Sequence, residues 1–421
     1  MAGPGAIAGR ISRGITRRIA DRLDPLLLPR YTQGNRVRLL ATPAEFFSRL
    51  VEVIDDARRS VHLETYIFTD GREGSAVREA LVRAAQRGVE VRVLVDGFGS
   101  GPFAAALHAT LAQSGGEVRV YRPESAWRAR HHTLRRLHRK LVVVDERLAF
   151  VGGINIEDPP EHDEFTGEPI GPRMDMAMQC EGPIVASVAN AVRGLWWVVG
   201  KWPVGAPGWP QREITPPRRV RPEPALPDGV RAALVLRDNF RHRHSIEHRY
   251  RAAIGDARQE ILMACAYFLP GRRLRNALVR ASRRGVRVRL LLQGRVEYRL
   301  QHAAQRSLYG SLLAAGIEIH EYDLSYLHAK VAAIDHDWAT VGSSNIDPLS
   351  LLLAREANVV VRDAAFNASL RSAIEAAIAA GAHRLDALAY ARRSLRMRFL
   401  DAMALWLVRA MTVVLARGQD Y

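Results

Sequence analysis

The stretch ALVRAAQRGVEVRVLVDG, at residues 80–97, decides the fold, because the chain repeats it as ALVRASRRGVRVRLLLQG at residues 277–294. The two copies are identical at 12 of 18 aligned positions. Each copy reads as a helix that ends at a glycine and leads into an apolar strand. An upstream pair, DDARRSVHLETYIF at residues 55–68 and GDARQEILMACAYF at residues 255–268, recurs in the same order. The sequence therefore predicts a duplicated α/β unit.

Helices and strands alternate around both copies of the repeat. In the first half, the pattern predicts helices over residues 42–57 and 76–87, and strands over residues 60–68, 89–95 and 141–144. In the second half, it predicts helices over residues 245–256 and 273–284, and strands over residues 260–268, 286–292 and 331–334. This alternation indicates the α/β class, with a mostly buried sheet.

The length of 421 residues is enough for two ordinary domains. Residues 201–229 hold 8 of the 21 prolines, which predicts a linker because proline disrupts helix and sheet interiors. We expect a basic amphipathic N-terminal segment at 1–30, domains at 31–200 and 230–387 joined by that linker, and an amphipathic, membrane-associating C-terminal segment at 388–421.

Two short motifs, LHRKLVVVDE at residues 137–146 and LHAKVAAIDH at residues 327–336, carry the predicted chemistry. Each contains a histidine, a lysine two residues later and an aspartate five residues after that: His138, Lys140 and Asp145, then His328, Lys330 and Asp335. On an extended segment, the histidine and lysine project to the same face. Only three of the 61 basic residues are lysines, and two of them lie in these motifs. Lysine is a compact point charge where arginine is a wide fork, so this choice indicates a tight pocket around one phosphate.

Two such motifs facing each other would supply two imidazoles and two cations for phosphoryl transfer. A neutral histidine can attack phosphorus while a protonated one donates to the leaving oxygen, and the lysines offset the growing negative charge. This chemistry needs neither a metal ion nor a cofactor, and we expect none. Asn155 and Asn345, at equal distances after the two histidines and next to small residues, are predicted to bind substrate. Asp175 and Glu356 lie in strand-like segments and are the carboxylates predicted to orient the histidines.

The two motifs resemble the signatures of the phospholipase D superfamily. The stretches GGIN at 152–155, AYFLPG at 266–271, GSSNIDPLSL at 342–351 and REAN at 355–358 are similar to bacterial cardiolipin synthases. The stretch WATVGSSNIDPLSL at 338–351, together with HDEFTGEP at 162–169 and GPRMD at 171–175, resembles the cardiolipin synthase B branch most. The similarity covers roughly residues 35–385, with its motifs in order. It implies two tandem α/β/α sandwich domains with mixed sheets, packed as a pseudo-dimer.

The resemblance also implies a reaction. A phosphatidyl group would pass from one phosphatidylglycerol to another through a phosphohistidine intermediate, giving cardiolipin and glycerol. By analogy with the family, His138 is the nucleophile and His328 the acid and base, although the near symmetry of the halves leaves this assignment open. The family counts Asp145 and Asp335 with the catalytic set, whereas their spacing alone predicts structural residues at strand ends. Ala354 is a departure, because an asparagine often stands there in the family.

Two other functions remain open on the sequence. A phospholipase D or phosphodiesterase would let water attack the same intermediate. A nuclease would fit the net charge of +17, which suits any anionic partner. The aromatic fraction of only 7% offers few side chains for base stacking, so we expect phospholipid substrates and no nucleic acid.

Both ends of the chain predict contact with an anionic membrane surface. Isoleucines recur every fourth residue among arginines at Ile7, Ile11, Ile15 and Ile19, as in a basic amphipathic helix. Residues 399–416 are apolar except for a narrow stripe, which we expect to face outward from a helix lying in the interface. This stripe consists of Arg398, Asp401, Arg409 and Thr412. Alternatively, these segments pack on the protein or on a second copy. With two cysteines and no apolar leader, a peripheral protein on the cytoplasmic face of the cell membrane is expected.

Overall fold

The computed structural model describes residues 30–123, 135–201, 216–238 and 242–417. Within these ranges, the strands of the first half are β1 (Thr32–Leu40), β2 (Ser60–Thr65), β3 (Glu90–Asp96), β4 (Glu117–Tyr121), β5 (Lys140–Val144), β6 (Leu148–Gly152) and β7 (Ala177–Glu181). Its helices are α1 (Pro43–Asp55), α2 (Arg72–Gln86), α3 (Gly101–Gln113) and α4 (Ile184–Gly200).

The second half follows the same plan and then adds C-terminal elements. Its strands are β8 (Val230–Arg237), β9 (Glu260–Cys265), β10 (Arg287–Gln293), β11 (Glu318–Tyr322), β12 (Lys330–Ile334), β13 (Trp338–Gly342), β14 (Glu356–Arg362) and β15 (Ala382–Arg384). Its helices are α5 (Ser245–Asp256), α6 (Arg272–Arg283), α7 (Arg299–Leu313), α8 (Pro348–Leu352), α9 (Ala364–Gly381), α10 (Ala387–Ala391) and α11 (Leu395–Arg417).

The strands pair across both halves into a 15-stranded mixed sheet in the described part of the chain. Outward from its centre, the first half runs β1-β7-β6-β5-β2-β3-β4 and the second runs β8-β14-β13-β12-β9-β10-β11, with β15 at the edge. Each half therefore orders its strands identically, which confirms the duplicated α/β fold. The halves join where β1 pairs antiparallel with β8, at Thr32↔Ala232 and Asn35↔Val230.

Local sequence explains why the repeat folds the same way twice. Helices α2 and α6 both end beside a glycine, Gly88 and Gly285, with φ of +85° and +91°. An L side chain is strained in this left-handed region, so glycine lets the chain turn sharply into β3 and β10. In α1, Thr42 caps the first turn by accepting from the backbone N–H of Glu45 at 3.2 Å.

The strands that begin at the motif lysines, β5 and β12, lie at the core of each half. Every residue of β5 and of β12 is buried. The strands β2 and β9 end at Thr65 and Cys265, three residues earlier than predicted. After them, Phe68 and Phe268 form isolated bridges to Ile156 and Ile346, because the chain leaves the sheet there to meet the loops that follow the motifs.

The segment between the halves is described only from residue 216 onward, where it forms neither helix nor strand before β8. Val220 holds this strap against α4 through two hydrogen bonds with the side-chain amide of Asn190, at 2.8 and 3.0 Å. The isoleucine pattern predicted near the N-terminus lies outside the described residues. The exact domain boundaries stay a prediction.

The C-terminal helix α11 corrects one expectation. Asp401 and Thr412, predicted to face outward, are buried, since Asp401 pairs with Arg393 and α11 packs on α7. The Thr412 hydroxyl donates to the Val408 carbonyl oxygen of the preceding turn at 2.7 Å. The exposed face is instead apolar and includes Leu395, Met397, Phe399, Leu400, Met403, Trp406, Leu407 and Met411. None of the helices in the described ranges is long and apolar enough to cross a bilayer.

Candidate active site

The two histidine motifs meet because each is hydrogen-bonded to the opposite half. The backbone N–H of His138 donates to the Arg355 carbonyl oxygen at 3.0 Å. The backbone N–H of His328 donates to the Met174 carbonyl oxygen at 2.8 Å. Isolated parallel bridges, Leu137↔Arg355 and Met174↔Leu327, accompany these bonds. The segment before β5 is therefore fixed by the residue that leads into β14, and the segment before β12 by the residues that lead into β7.

Each histidine is held by a buried carboxylate from the other half. His138 Nδ1 lies 2.9 Å from Glu356 Oε1 and 3.2 Å from Glu356 Oε2. His328 Nδ1 lies 2.6 Å from Asp175 Oδ2. A carboxylate at Nδ1 fixes the ring and leaves Nε2 to meet a substrate. The structure thus brings both predicted carboxylates to the predicted histidines, and it does so across the boundary between the halves.

The two lysines lie at the same centre and are buried. Lys140 Nζ donates to the carbonyl oxygen of His138 at 2.8 Å, and Lys330 Nζ makes the equivalent bond to His328. Burial, followed by the charge of Lys330, lowers the pKa of Lys140 to about 7. Burial also lowers the pKa of Lys330. A bound phosphate anion would favour the protonated form of both ammonium groups, since an opposite charge nearby offsets the cost of burial.

The two histidine pairs differ in their electrostatics. Burial lowers the pKa of His138, while the Glu356 carboxylate opposes that change. Burial and the charges of Lys330 and Arg173 lower the pKa of His328 well below its usual value. Of the two rings, His138 therefore has better support for its protonated form than His328.

The family model described as cardiolipin synthase, phospholipase D-like domain, matches the chain over residues 50–160 and 250–378, once in each half. The chain belongs to this family. It is 38% identical to cardiolipin synthase B of Salmonella typhi over 359 residues, which cover 85% of this chain and 83% of that relative. It is 37% identical, with the same coverage, to cardiolipin synthase B of Escherichia coli strain K12. The predicted resemblance is thereby confirmed.

Solved structures show the same fold at low sequence identity. The crystal structure of phosphatidylserine synthase from Haemophilus influenzae Rd KW20 is similar with a TM-score of 0.70. The match covers 95% of this chain and 99% of that chain at 13% identity. The fold predicted from the duplicated motifs is therefore found along nearly the full length of both proteins.

The motif aspartates lie at the far ends of their strands, away from the histidines. Asp145 and Asp335 adopt left-handed φ angles of +53° and +49°. The Asp145 carboxylate accepts from the backbone N–H groups of three residues before or at the start of β2, at 2.7 to 2.9 Å. Asp335 accepts in the same way at the start of β9, at 2.8 to 3.2 Å. This geometry favours the structural interpretation from spacing over the catalytic role implied by the family.

The asparagines after the motifs are buried, but no contact joins them to the histidines. Asn155 donates to Glu157 at 2.9 Å. The Asn345 Oδ1 atom is buried and has no hydrogen-bond partner among the described residues. Such an orphaned acceptor is costly unless a ligand satisfies it. Substrate binding by both asparagines stays a prediction.

The small residues before these asparagines make room for the carboxylates. A Cβ atom at Gly153 would lie 2.3 Å from Asp175 Oδ1, so a side chain there would displace that carboxylate. The equivalent residue in the second half, Ser343, donates from Oγ to Glu356 Oε2 at 2.5 Å. The structure therefore uses these small residues to place the carboxylates.

Sequence reasoning also missed the residues that anchor the motif backbone. Asp96 Oδ2 accepts from the N–H of Leu137 at 2.7 Å, and Gln293 Oε1 accepts from the N–H of Leu327 at 2.5 Å. Burial raises the pKa of Asp96 to about 6. The available signal was a polar residue before the final glycine in both copies of the repeat. The ring of Tyr66 also lies at the site, with its centroid 5.1 Å from that of His138.

Proposed function

We propose that the chain transfers a phosphatidyl group from one phosphatidylglycerol to the free hydroxyl of another, giving cardiolipin and glycerol. The observation that carries this proposal is the pair of histidines, each held at Nδ1 by a carboxylate of the opposite half, beside two buried lysines. Two imidazoles at one centre suit a double displacement at phosphorus, because one can attack while the other handles protons.

In the first step, the Nε2 atom of a neutral histidine attacks the donor phosphorus. The new P–N bond forms as the P–O bond to glycerol breaks, and the second, protonated histidine gives its proton to the glycerol oxygen. Lys140 and Lys330 balance the charge that builds on the non-bridging oxygens. The carboxylates Glu356 and Asp175 keep both rings aimed and stabilise whichever ring is protonated.

In the second step, the now neutral second histidine takes the proton of the acceptor hydroxyl. The acceptor oxygen attacks phosphorus, the P–N bond breaks and cardiolipin is released with the first histidine restored. Family analogy gives the attack to His138, while the electrostatics of the free site favour His328 as the neutral ring. Mapping of the phosphohistidine by mass spectrometry decides between them.

The decisive experiment is to incubate the purified protein, in EDTA, with vesicles of labelled phosphatidylglycerol. Cardiolipin and glycerol in equal amounts are expected. Phosphatidic acid as the sole product would assign the chain to the hydrolytic phospholipases instead. Cleavage of oligonucleotides without any lipid product would contradict both lipid functions.

The proposed partner surface is an anionic membrane, met by the exposed apolar face of α11. Phe399 and Trp406 are 64% and 63% exposed on this face, and Arg396 and Arg398 near its start are exposed as well. Aromatic side chains flanked by arginines favour an interfacial position on anionic lipid. The cysteines Cys180 and Cys265 are free and buried, as in a reducing compartment, so we expect a peripheral protein on the cytoplasmic face.

Sedimentation with vesicles tests this surface. Changing both Phe399 and Trp406 to Ser should weaken binding to phosphatidylglycerol vesicles by about tenfold or more, since burial of a large apolar side chain contributes roughly 1.5–3 kcal/mol. Phe165→Ser is the matched control, because Phe165 is also an exposed aromatic, at 46%, but lies outside α11. Equal binding by the double variant and the wild type would contradict the assignment.

A further inference from the structure

The two halves differ sharply at one pair of equivalent positions beside the site. Arg173 lies two residues before Asp175, and Ala354 lies two residues before Glu356. The side of the site that holds His328 therefore carries an arginine that the mechanism above does not use, and the side that holds His138 carries a methyl group. Arg173 is the chain neighbour of Met174, whose carbonyl oxygen accepts from the backbone N–H of His328 at 2.8 Å, and this places Arg173 beside that histidine.

Arg173 is held in a fixed position with donor capacity left over. Its Nη1 atom donates to Glu297 Oε1 at 3.1 Å, and its guanidinium carbon lies 5.6 Å from the centre of the Tyr326 ring. The hydroxyl of Tyr267 donates to the other oxygen of Glu297. The Arg173 Nε atom is buried and has no hydrogen-bond partner among the described residues. Nε and Nη2 form the edge of a guanidinium that matches two phosphate oxygens.

The proposed reaction needs a second anion site. Both substrates are phosphodiesters, but only the donor phosphate sits at the phosphorus under attack, where the two lysines lie. The acceptor carries its own phosphate at the far end of its glycerol from the attacking hydroxyl. The negative charge of the acceptor phosphate must therefore be bound to one side of the reacting centre, because the donor phosphate occupies the centre itself. Arg173, which lies beside His328 and has a buried Nε donor without a partner among the described residues, meets this requirement.

We infer that Arg173 binds the phosphate of the acceptor lipid, so that the acceptor enters on the His328 side of the site. Glu297 is a positioning residue that holds Arg173 extended, with Tyr267 behind it. This inference rests on the proposed function and adds to it the place and the recognition chemistry of the second substrate.

The test compares two reactions that share the donor step. Cardiolipin formation from phosphatidylglycerol requires an acceptor phosphate, whereas exchange of labelled glycerol into phosphatidylglycerol uses an acceptor that has none. In Arg173→Gln, cardiolipin formation should fall roughly 10- to 100-fold, the range expected for lost charge-assisted hydrogen bonds, while glycerol exchange changes less than about threefold. Arg173→Lys should lie between wild type and Arg173→Gln in cardiolipin formation.

Arg295→Gln is the matched control. The Arg295 side chain has the same exposure as that of Arg173, 21%, and pairs with a buried carboxylate, Asp163, at 3.0 Å. It should leave the ratio of the two reactions unchanged. If Arg173→Gln lowers both reactions equally, or lowers neither, the inference is wrong. Should Arg173→Gln fail to fold, an unaltered ratio in Arg173→Lys overturns the inference in its place.

The wild-type enzyme separates this inference from the function it rests on. Glycerol exchange without any cardiolipin in the wild type would contradict the proposed function itself. Cardiolipin formation in the wild type, with the ratio unchanged in the Arg173 variants, would leave the function standing and remove only the role of Arg173.

Discussion

The two halves share one scaffold, yet the surroundings of their histidines are built differently. Beside His138, a buried ion pair joins Arg139 to Glu64, with Nη2 and Oε1 2.9 Å apart. At the equivalent positions of the second half stand Ala329 and Ala264, both fully buried. Both partners of the pair are present in one half and both are absent from the other. A lone buried charge is costly, so a duplicated fold can keep or lose such a pair only as a unit.

The carboxylates show a second difference between the halves. Burial raises the pKa of Asp175 to about 6. Glu356 is just as buried, but the charge of His138 and a hydrogen bond from it hold the pKa of that carboxyl below its usual value. The same backbone symmetry thus shifts the pKa values of the two orienting carboxyls in opposite directions. Two equal histidines would compete for the same role, whereas unequal ones can divide attack and proton transfer.

The largest expected effect comes from removing either ring. His138→Ala and His328→Ala should each lower cardiolipin formation by more than about 10³-fold, because neither half can complete the double displacement alone. The rates are measured with labelled phosphatidylglycerol, and the phosphohistidine is sought in each variant. His320→Ala, in β11, is the control and should stay near wild type. Substantial activity in either site variant would mean that the halves do not share one centre.

Replacing either carboxylate that orients a histidine should have the next largest effect. Glu356→Gln and Asp175→Asn are each expected to lower turnover by roughly 10²–10⁴-fold, since an amide cannot stabilise the protonated ring. Measured turnover that stays within tenfold of wild type would argue that the histidines are oriented by other contacts.

The same two variants should also differ in how their stability, relative to wild type, changes with pH. The raised pKa of Asp175 means that its contribution to stability is complete below about pH 4 and is lost as pH rises through about 6. The lowered pKa of Glu356 means that its contribution is present above its unfolded pKa and is lost as pH falls. Urea unfolding at pH 4.5 and 7.5 should therefore show Asp175→Asn gaining on wild type at the higher pH and Glu356→Gln losing. If both variants gained, or both lost, stability relative to wild type at the higher pH, the two carboxylates would not differ as described.

Mutation of the buried ion pair Arg139–Glu64 can make the first half resemble the second at these positions. Arg139→Ala alone should lower the free energy of unfolding by about 3–5 kcal/mol, because Glu64 is left charged and buried without a partner. The double change Arg139→Ala with Glu64→Ala copies the second half and should recover a large part of that loss. Urea denaturation measures both. A double variant no more stable than Arg139→Ala would show that the pair is not what distinguishes the halves.

Replacing the two site lysines by arginine should have the smallest of these effects. Lys140→Arg and Lys330→Arg keep the charge but bring a wider group into a buried position, and turnover should fall by about 10- to 100-fold. Thermal unfolding should move little in comparison. The third lysine, Lys201, lies at the end of α4 and serves as control, so Lys201→Arg should leave turnover unchanged. Near-normal activity in both site variants would mean that the pocket is wider than the lysine usage indicates.

Sequence reasoning went furthest where a pattern is local. The helix ends at Gly88 and Gly285, the buried strands after both motifs and the carboxylates Asp175 and Glu356 could all be predicted, because helix stops, apolar runs and the order of motifs are written along the chain. Ser343, Asp96 and Gln293 could not, since each acts on a residue distant in sequence. The outward polar stripe of α11 was wrong at Asp401 and Thr412, because an amphipathic pattern shows that a helix has two faces and not which one the protein covers.

The sequence by itself determined that the chain is a duplicated α/β unit with two histidine and lysine motifs and a net charge of +17. Periodicity and repetition suffice for that, because they reflect backbone geometry that each segment carries alone. Only the tertiary structure decided that each histidine takes its carboxylate from the other half, and that Glu297 holds the Arg173 guanidinium. Those facts depend on how β1 meets β8 and how the segments at Arg355 and Met174 cross, and such long-range contacts leave no local pattern in the chain.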